Sequence, residues 1–360
     1  MKKIVSILLS AMILISLSGC EIFSEEIVDD EAGFCYSQLN NSQKKVYIAI
    51  RDGILEYATE ISSGLGNFKH NDFDRIYNAV LADHPEFFWV SDSYTYYSNG
   101  VSDDVSKIEP DYTMTDSEIE TNKEKFDKLV QSLVAQTLSY TNKYDIVVAI
   151  HDYIVKHTDY NDDGDKLNST AYGALIKNKA ICSGYSKAFQ YLLQQSGIKC
   201  CYVTGEIANN EGHAWNIVTI DGDSFFVDVT FDDPVFAGGN NTGETVFHNY
   251  FGLTDSQLQS THSIYDTFDY PKCTTEDYDY YKYKGLYISG ANVSLAESII
   301  SSAYQSGKSA AVMKFSDISS LNSIKDSIFN GKKIFEIIKS KNSINYSIDE
   351  TNCVLIVKIR

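Results

Sequence analysis

Apolar residues recur at steps of three and four in the first part of the chain, the spacing that places side chains on one face of an α-helix. Residues 42–64 show this spacing at Val46, Ile50, Ile54, Tyr57 and Ile61. A second helix is predicted in "DFDRIYNAVLADH", with Asp72 as its N-cap. A third, "TMTDSEIETNKEKFDKLVQSLVAQTL", starts with Thr115 and Glu118 at capping-box spacing. Because only "PEFFWVSDSYTYYSNG" indicates a strand and a turn, we expect a mainly helical region over 43–142.

The middle of the chain, residues 143–285, mixes helical and strand patterns. One helix is expected in "YDIVVAIHDYIVKHTDY", and another follows Cys182 and ends at Gly197. The apolar face of this second helix consists of Tyr185, Ala188, Phe189, Leu192 and Leu193. Three strands are predicted in "IKCCYVTGEI", "HAWNIVTI" and "SFFVDVTF", and the "DGD" between the last two indicates a hairpin.

The C-terminal part has its own alternation of strands and helices. Strands are expected in "GLYISG", "SAAVMKF", "NYSID" and "CVLIVKI", with helical stretches starting near Ser294 and Asp317. This order predicts a small α/β domain over residues 286–360.

The first twenty residues, "MKKIVSILLSAMILISLSGC", have the basic start, apolar run and small-residue end of a secretory signal peptide. The ending "LSGC" is similar to a bacterial lipobox, which implies cleavage after residue 19 and lipidation of Cys20. A signal peptide with an incidental cysteine, or an uncleaved anchor, is the alternative. We expect residues 20–42, which include "EEIVDDEAG", to form a flexible acidic tether. The protein would then be an extracytoplasmic lipoprotein, anchored in the membrane at the cell surface.

Charge narrows the choice of partners. The formal net charge of -19 disfavours nucleic acid, because binding phosphates requires clustered Lys and Arg. The 26 tyrosines favour a polar tyrosine-rich surface over a platform for glycans or peptides. The seven cysteines lie at positions 20, 35, 182, 200, 201, 273 and 353. Their spacing predicts neither a disulfide scaffold nor a zinc site, although pairing of Cys201 or Cys273 with another cysteine stays open. No cofactor or metal is predicted.

Cys182 stands where the predicted helix begins, and a helix N-terminus favours the reactive thiolate. Alone, the cysteine would more simply be a buried hydrophobe. A nucleophile also needs a base and a group that orients the base, and His213 and Asp228 lie in adjacent predicted strands. If Asp221-Gly222 forms a two-residue turn, paired residue numbers sum to 443. His213 and Asp228 would then lie on the same face of the sheet.

Three sequence blocks resemble those of the transglutaminase-like superfamily: "TAYGALIKNKAICSGYSKAF", "GHAWNIV" and "FFVDVTFDDP". The resemblance covers residues 143–255 and implies an α+β fold with a papain-like catalytic core in residues 143–285. It also implies that Cys182 is the nucleophile, His213 the general base and then acid, and Asp228 the orienting carboxylate. Phe231 departs from the tryptophan of many relatives, which we expect to affect packing.

Three aromatic residues are weaker candidates. The Tyr172 hydroxyl could complete an oxyanion hole with the Cys182 backbone N–H, although packing explains Tyr172 equally well. Tyr185 and Trp215 could line a substrate groove, or belong to the core.

The remaining polar clusters favour structural roles. The loop from Asp159 places acidic and amide residues at EF-hand-like positions, but Thr170 stands where the bidentate glutamate belongs, so a solvated turn is expected rather than a calcium site. His151 and His157 have poor ligand spacing and are expected to be structural. Exposure or capping is expected for Asp232 and Asp233 before Pro234. His248 and His262 have no identifiable partner.

The sequence therefore predicts a cysteine-dependent acyl-transfer enzyme for protein or peptide amides, with hydrolysis preferred to transglutaminase-type transfer. The rival hypothesis is a non-catalytic surface-binding or scaffold lipoprotein that keeps the fold. The oligomeric state is not predicted.

Overall fold

The computed structural model describes residues 33–98, 100, 104–233, 246–339 and 343–359. The predicted signal peptide, Cys20 and the first part of the predicted tether lie outside the described residues. Within these ranges, no helix is both long and apolar enough to cross a membrane.

The chain before the central sheet is mainly helical. Its α-helices are α1 (Phe34–Ser37), α2 (Asn41–Leu55), α3 (His70–Asp83), α4 (Asp116–Thr137) and α5 (Lys143–His157). Strands β1 (Val90–Ser98) and β2 (Val105–Tyr112) form an antiparallel pair, and β3 (Asp159–Tyr160) pairs in parallel with β4 (Lys179–Ala180). Between β3 and β4 lie a 3-10 helix at Lys166–Ser169 and a π-helix at Gly173–Lys177.

The central part follows with α6 (Cys182–Gln195), β5 (Lys199–Ile207), a 3-10 helix at Ala208–Asn210, β6 (Glu211–Ile220) and β7 (Asp223–Val227). It continues through β8 (Phe251–Leu253), α7 (Asp255–Leu258), β9 (Ser263–Ile264) and α8 (Tyr280–Tyr283). The C-terminal elements are β10 (Tyr287–Ile288), α9 (Val293–Gln305), β11 (Ala310–Phe315), α10 (Ile318–Lys325), a π-helix at Asp326–Asn330, α11 (Ile334–Ile337), β12 (Tyr346–Asp349) and β13 (Val354–Lys358).

The last ten residues of the predicted tether are folded, so the prediction is wrong for residues 33–42. Cys35 and Tyr36 are buried, and their backbone N–H groups donate to the Asp83 carboxylate at 2.9 and 2.8 Å. Asn40 caps α2 through its side chain. A carboxylate on α3 thus fixes this segment by binding the N–H groups at the start of α1, which have no partner within their own helix.

Two helix boundaries differ from the predicted ones. α2 ends at Leu55, because Tyr57 has a φ of 55°, which a helix does not allow. Ile61 lies outside the helix and forms an antiparallel bridge with Ile108 of β2. The apolar spacing continues past the helix end because Ile61 joins the same core. α3 begins at His70, which places Asp72 in the first turn, where its charge favours the positive end of the helix dipole.

The central sheet is five-stranded, with the order β8-β7-β6-β5-β9. The predicted hairpin register is confirmed, since Asn216 pairs with Val227 and Ile220 with Asp223. Asp221 and Gly222 both have positive φ, at 53° and 101°, as a two-residue type I′ turn requires. α6 packs on β5 and β6 with its predicted apolar face fully buried.

Residues 286–359 build a separate four-stranded sheet of order β10-β11-β13-β12, with α9, α10 and α11 around it. This unit has its own apolar core, which includes Ile300, Met313, Leu321 and Val357. It contacts the preceding part through a small cluster of Tyr281, Val354 and Ile356.

Candidate active site

Cys182 is the first residue of α6 and is partly exposed. The helix start is fixed against the central sheet, because Ser186 donates to the Ala214 carbonyl at 2.9 Å and Asn216 donates to the Ser186 carbonyl at 3.1 Å. Gly184 allows a close approach on the other side, since a Cβ there would lie 2.3 Å from the Asn168 carbonyl oxygen. Packing on both sides therefore determines where the thiol lies.

His213 and Asp228 come together as the register predicts. His213 lies on β6 and Asp228 directly follows β7, and the distance from His213 Nε2 to Asp228 Oδ2 is 2.8 Å. The other carboxylate oxygen of Asp228 accepts from the backbone N–H groups of Thr230 and Phe231 at 3.0 and 3.1 Å. Both side chains are buried, so this ion pair is shielded from solvent screening.

The Cys182 side chain hydrogen-bonds to His213. Because Nε2 of the imidazole faces Asp228, Nδ1 is the atom left for the thiol. Burial lowers the pKa of His213, but the charge and hydrogen bond of Asp228 and the contact with Cys182 outweigh it and raise the value to about 10. Burial acts to raise the pKa of Asp228, and His213 and His262 overcome it and hold the carboxyl well below its usual range. The three side chains thus form a connected thiol–imidazole–carboxylate chain.

His262 is a fourth member that sequence reasoning missed. Its Nε2 lies 3.0 Å from Asp228 Oδ2, and its Nδ1 lies 2.8 Å from the Thr261 hydroxyl. The residue is buried and follows α7, 34 positions after Asp228. No local pattern marks it, because its partner is brought close only by the tertiary fold.

The Tyr172 hydroxyl is hydrogen-bonded to the helical region, which favours the packing role over the oxyanion role. It donates to Asn122 Oδ1 on α4 at 3.1 Å, and its ring stacks on Phe88 with centroids 4.6 Å apart. Tyr172 is buried between the helical region and the catalytic core, where it packs.

Tyr185 and Trp215 belong to the core rather than to a groove. The Tyr185 hydroxyl lies 2.6 Å from Asp233 Oδ2 and 3.0 Å from the Thr158 carbonyl oxygen. Trp215 is fully buried against His213 and His262, with ring centroids 5.8 and 4.8 Å away. Both side chains are fully buried, which favours the core role over the groove role.

A cavity of about 570 Å³ is lined by Ser183, the residue that follows Cys182 in α6, but not by Cys182 itself. Ser183 and Lys187 of α6 line one wall, Tyr202 of β5 lines a second and Asp92 of β1 a third. Burial lowers the pKa of Lys187, whose ammonium lies 5.8 Å from the Tyr202 ring centroid. The side chains that line this cavity therefore come from α6, β5 and the helical region. They do not include Tyr172, Tyr185 or Trp215.

The structure holds a second histidine–carboxylate group, and the predicted exposure or capping of Asp232 and Asp233 is wrong, because both side chains are fully buried. Asp232 is fully buried, and its Oδ2 lies 3.2 Å from His151 Nε2. Asp152 Oδ1 lies 3.1 Å from His151 Nδ1 and 2.7 Å from His248 Nε2, so His248 has a partner that the sequence did not reveal. The ring of His248 stacks on Tyr280 at 3.5 Å.

The charges of this second group are strongly shifted. Burial lowers the pKa of His151, but the hydrogen bonds and charges of Asp152 and Asp232 outweigh it and raise the value to about 9. Burial lowers the pKa of His248 to about 4 and raises that of Asp232 to about 6. Two sets of donors therefore have the composition and closeness of metal ligands: His213 with Asp228 and His262, and His151 with Asp152 and His248.

The acidic loop after β3 uses its carboxylates within the protein. Asp163 Oδ1 accepts from the Asp165 N–H and the Asn168 amide at 3.0 and 2.9 Å, and Asp165 caps the following 3-10 helix. The Lys177 ammonium lies 2.6 Å from Asp165. His157, expected to be structural, lies with Nδ1 2.8 Å from the Tyr153 carbonyl oxygen.

The six cysteines that the structure describes are all free, so the open pairings of Cys201 and Cys273 are not formed. Burial raises the pKa of Cys35 and Cys200 well above the usual value and that of Cys201 to about 12. Cys182 is the only one of the six that begins a helix and contacts a histidine.

Comparison with known proteins gives a family for the part of the chain that carries the site. Residues 131–229 match the model of the Transglutaminase-like superfamily, and this segment contains Cys182, His213 and Asp228. The chain therefore contains a transglutaminase-like superfamily domain, within an α+β fold. No curated protein matches the chain significantly.

Solved structures give distant likenesses. A TGase is 18% identical, with a TM-score of 0.28, over 39% of this chain and 44% of its own. A candidate cysteine protease from Cytophaga hutchinsonii is 13% identical, with a TM-score of 0.28, over 52% of this chain and 80% of its own. A candidate protease from Parabacteroides distasonis is 11% identical, with a TM-score of 0.24, over 37% of this chain and 30% of its own. This chain thus spans less than half of the TGase, and the family assignment rests on residues 131–229.

Proposed function

We propose that the protein is a cysteine-dependent acyl-transfer enzyme that acts on protein or peptide amides through Cys182, His213 and Asp228. The observation that supports this most is the unbroken contact from the thiol at the start of α6, through the His213 imidazole, to Asp228 at 2.8 Å. A nucleophile, a base and a group that orients the base are the minimum set for this chemistry.

The proposed reaction begins when His213 takes the proton of Cys182 and the thiolate attacks the amide carbonyl carbon. The carbonyl π electrons move to oxygen, and the backbone N–H at the start of α6 stabilises the resulting oxyanion. His213 then gives its proton to the leaving amine as the C–N bond breaks, which leaves a thioester on Cys182. Water, or a second amine, attacks the thioester and returns the proton to the thiol through His213.

The cavity that Ser183 lines, one residue after Cys182, is the proposed place for the substrate. Its Lys187 ammonium and Asp92 carboxylate offer one donor and one acceptor of opposite charge, which suits a peptide backbone with polar side chains. We propose hydrolysis as the main outcome, because water is the default acceptor of a thioester.

Iodoacetamide alkylation of Cys182, followed by peptide mass spectrometry, tests the nucleophile. We expect His213→Ala to slow alkylation at neutral pH by at least about tenfold, since the imidazole no longer stabilises the thiolate. His157→Ala is the matched control, because His157 is an exposed histidine whose Nδ1 faces the Tyr153 carbonyl oxygen. Equal alkylation rates in all three proteins would contradict the activated thiol.

A glutamine peptide with a labelled amine separates the two outcomes of the reaction. Hydrolysis converts glutamine to glutamate, whereas transfer attaches the label, and mass spectrometry distinguishes the products. Both products should disappear in Cys182→Ala. Product that persists in this variant would exclude Cys182 as the nucleophile, whereas a lack of product from the unmodified protein would favour a binding or scaffold lipoprotein.

We also propose that the chain is anchored at the cell surface through acylated Cys20, since residues 1–20 have the signal-peptide pattern and the "LSGC" ending. We expect the mature protein to partition into detergent and Cys20→Ser to be released in soluble form. Mass spectrometry of the N-terminal peptide would show the acyl mass on Cys20, and an unmodified peptide would contradict the anchor.

A further inference from the structure

The side chains of His151, Asp152 and His248 converge on one point outside the proposed catalytic centre. His151 and Asp152 are consecutive on α5, and His248 lies in the segment before β8. The nitrogen atoms His151 Nδ1 and His248 Nε2 both approach Asp152 Oδ1, at 3.1 and 2.7 Å, and the three ligand atoms all lie within 4.8 Å of one another. Ligand atoms around a tetrahedral Zn²⁺ with bonds of about 2.0–2.1 Å are roughly 3.3 Å apart. Only small side-chain movements would admit the ion.

The geometry of the surrounding residues resembles the support that metal-binding histidines receive. His151 Nε2 faces the buried Asp232 carboxylate at 3.2 Å, which directs Nδ1 towards Asp152. A carboxylate on the second imidazole nitrogen is the usual partner of a histidine that binds zinc. The ring of His248 stacks in parallel on the ring of Tyr280, and this contact fixes the orientation of the second ligand ring.

The position also has access from solvent through Asp152, whereas the side chains of His213, Asp228 and His262 are almost fully buried. Asp152 and His248 line a cavity of about 520 Å³ between the catalytic part and α9 of the C-terminal unit. The Asp152 side chain is 26% exposed, so an ion can enter and keep a fourth position open to this cavity. Lys156 lines the same cavity and would favour an anionic fourth ligand such as hydroxide or a carboxylate.

The group of His213, Asp228 and His262 is the weaker metal candidate. Both Asp228 oxygens already accept hydrogen bonds, one from two backbone N–H groups and the other from two histidines. All three side chains are at most 3% exposed, and none of them lines the proposed substrate cavity. A cation there would have to break these buried hydrogen bonds.

We propose that His151, Asp152 and His248 bind one divalent transition-metal ion of the Zn²⁺ type, with Asp232 as the positioning residue of His151. The ion would link α5 to the segment before β8 and so fix the surroundings of the loop that carries both Asp228 and Asp232. This site is independent of the proposed acyl transfer, since its existence is tested by binding alone.

The experiment is a titration of chelator-stripped full-length protein with Zn²⁺ in competition with a chromophoric chelator. We expect one tightly bound ion per chain. Asp232→Asn should weaken binding about 10–100-fold, as expected for the loss of a carboxylate on a ligand histidine. His248→Ala and Asp152→Ala should weaken it further, and His262→Ala is the matched control that leaves the affinity unchanged.

A second measurement does not depend on the variants folding. Co²⁺ in the unmodified protein should give the intense visible bands of tetrahedral coordination, and Zn²⁺ should abolish them by displacement. Zn²⁺ should also raise the Tm of the unmodified protein by mass action. The proposal is wrong if no stoichiometric ion binds, or if His262→Ala loses the ion while Asp152→Ala keeps it.

Discussion

The Asp228 carboxylate accepts hydrogen bonds from four donors. One buried residue can therefore hold the His213 and His262 side chains and the turn after β7 in place. Two of the donors are imidazole nitrogens and two are backbone N–H groups of the turn that follows β7. A carboxylate with this many donors stays ionised despite its burial. Its charge is then available to stabilise the imidazolium of His213 during the proposed reaction.

Asp228→Asn should destabilise the fold in a pH-dependent way. The folded pKa of His213 is raised to about 10, above its ordinary value of about 6.5, so the ion pair contributes fully below about pH 6.5. The contribution is lost as pH rises through the folded pKa. We expect the free energy of unfolding to fall by about 3–5 kcal/mol near pH 6, because a buried charge loses its partner.

Urea unfolding curves of both proteins at several pH values measure this difference, which should shrink as the pH approaches about 10. Asp266→Asn is the control, because it removes the same charge at an exposed position. A difference between unmodified protein and Asp228→Asn that stays constant over this range would contradict the raised pKa of His213.

His262 should act through Asp228 rather than on the substrate. His262→Leu removes a hydrogen bond to a charged group, worth roughly 1.5–3 kcal/mol, and should lower kcat with little change in KM. His262→Gln keeps a donor of similar reach and should recover part of the rate. Steady-state kinetics on an amide substrate checks both variants, and a KM effect without a kcat effect would place His262 in substrate binding instead.

At the scale of elements, packing of α6, rather than an N-cap side chain, determines the position of its first residue, Cys182. Ile181 precedes the helix and provides no side-chain cap, so the orientation depends on the buried face and on the close approach at Gly184. Because the N-cap residue of α6 makes no side-chain hydrogen bond to the helix, the backbone N–H groups at its N-terminus remain available to the proposed oxyanion.

Gly184→Ala should therefore disturb the helix start. The new Cβ would lie 2.3 Å from the Asn168 carbonyl oxygen, which is backbone and must move. We expect a loss of about 1–3 kcal/mol of stability, as for overpacking, together with slower alkylation of Cys182. Gly212→Ala is the matched control, because no atom lies within 4 Å of its Cβ position. If both variants behave alike, the contact at Gly184 does not position the thiol.

The elements show where sequence reasoning succeeds and where it stops. The positive-φ pair Asp221 and Gly222 determines the hairpin, so the contact of His213 with Asp228 follows from local information. The partners of His262 and His248 lie 34 and 96 positions away, and no periodic pattern encodes such distances. Tyr172 and Trp215 were ambiguous for a different reason, because an aromatic residue near a site suits the core and a groove equally well.

At the scale of the whole molecule, a chain of hydrogen bonds joins the C-terminal unit to the catalytic part. The Tyr281 hydroxyl donates to Asn249 Oδ1 at 2.8 Å, and the Asn249 amide donates to Asp349 of β12 at 2.9 Å. Lys314 of β11 adds an ion pair of 3.4 Å with Asp279. The two units therefore meet through both apolar and polar contacts.

Asn249→Ala should weaken this junction by about 1–3 kcal/mol, because the buried Tyr281 hydroxyl loses its acceptor. Both tryptophans, Trp89 and Trp215, lie outside residues 286–359, so their fluorescence reports only the part of the chain before residue 286, whereas far-UV circular dichroism reports the whole chain. We expect the two urea transitions to separate in the variant. Asn330→Ala, which removes an exposed hydrogen bond within one π-helix, is the control and should keep the transitions together.

The different environments of the free cysteines have a practical consequence. Burial raises the pKa of Cys35, Cys200, Cys201 and Cys273, and also that of the less buried Cys353. With Cys20 and Cys353 replaced by serine, a fluorescent maleimide at neutral pH should therefore label one position in the native chain. That position is Cys182, which directly precedes Ser183 in the lining of the proposed substrate cavity, so the same thiol that would perform the chemistry can report, as a single-site optical sensor, which peptides enter.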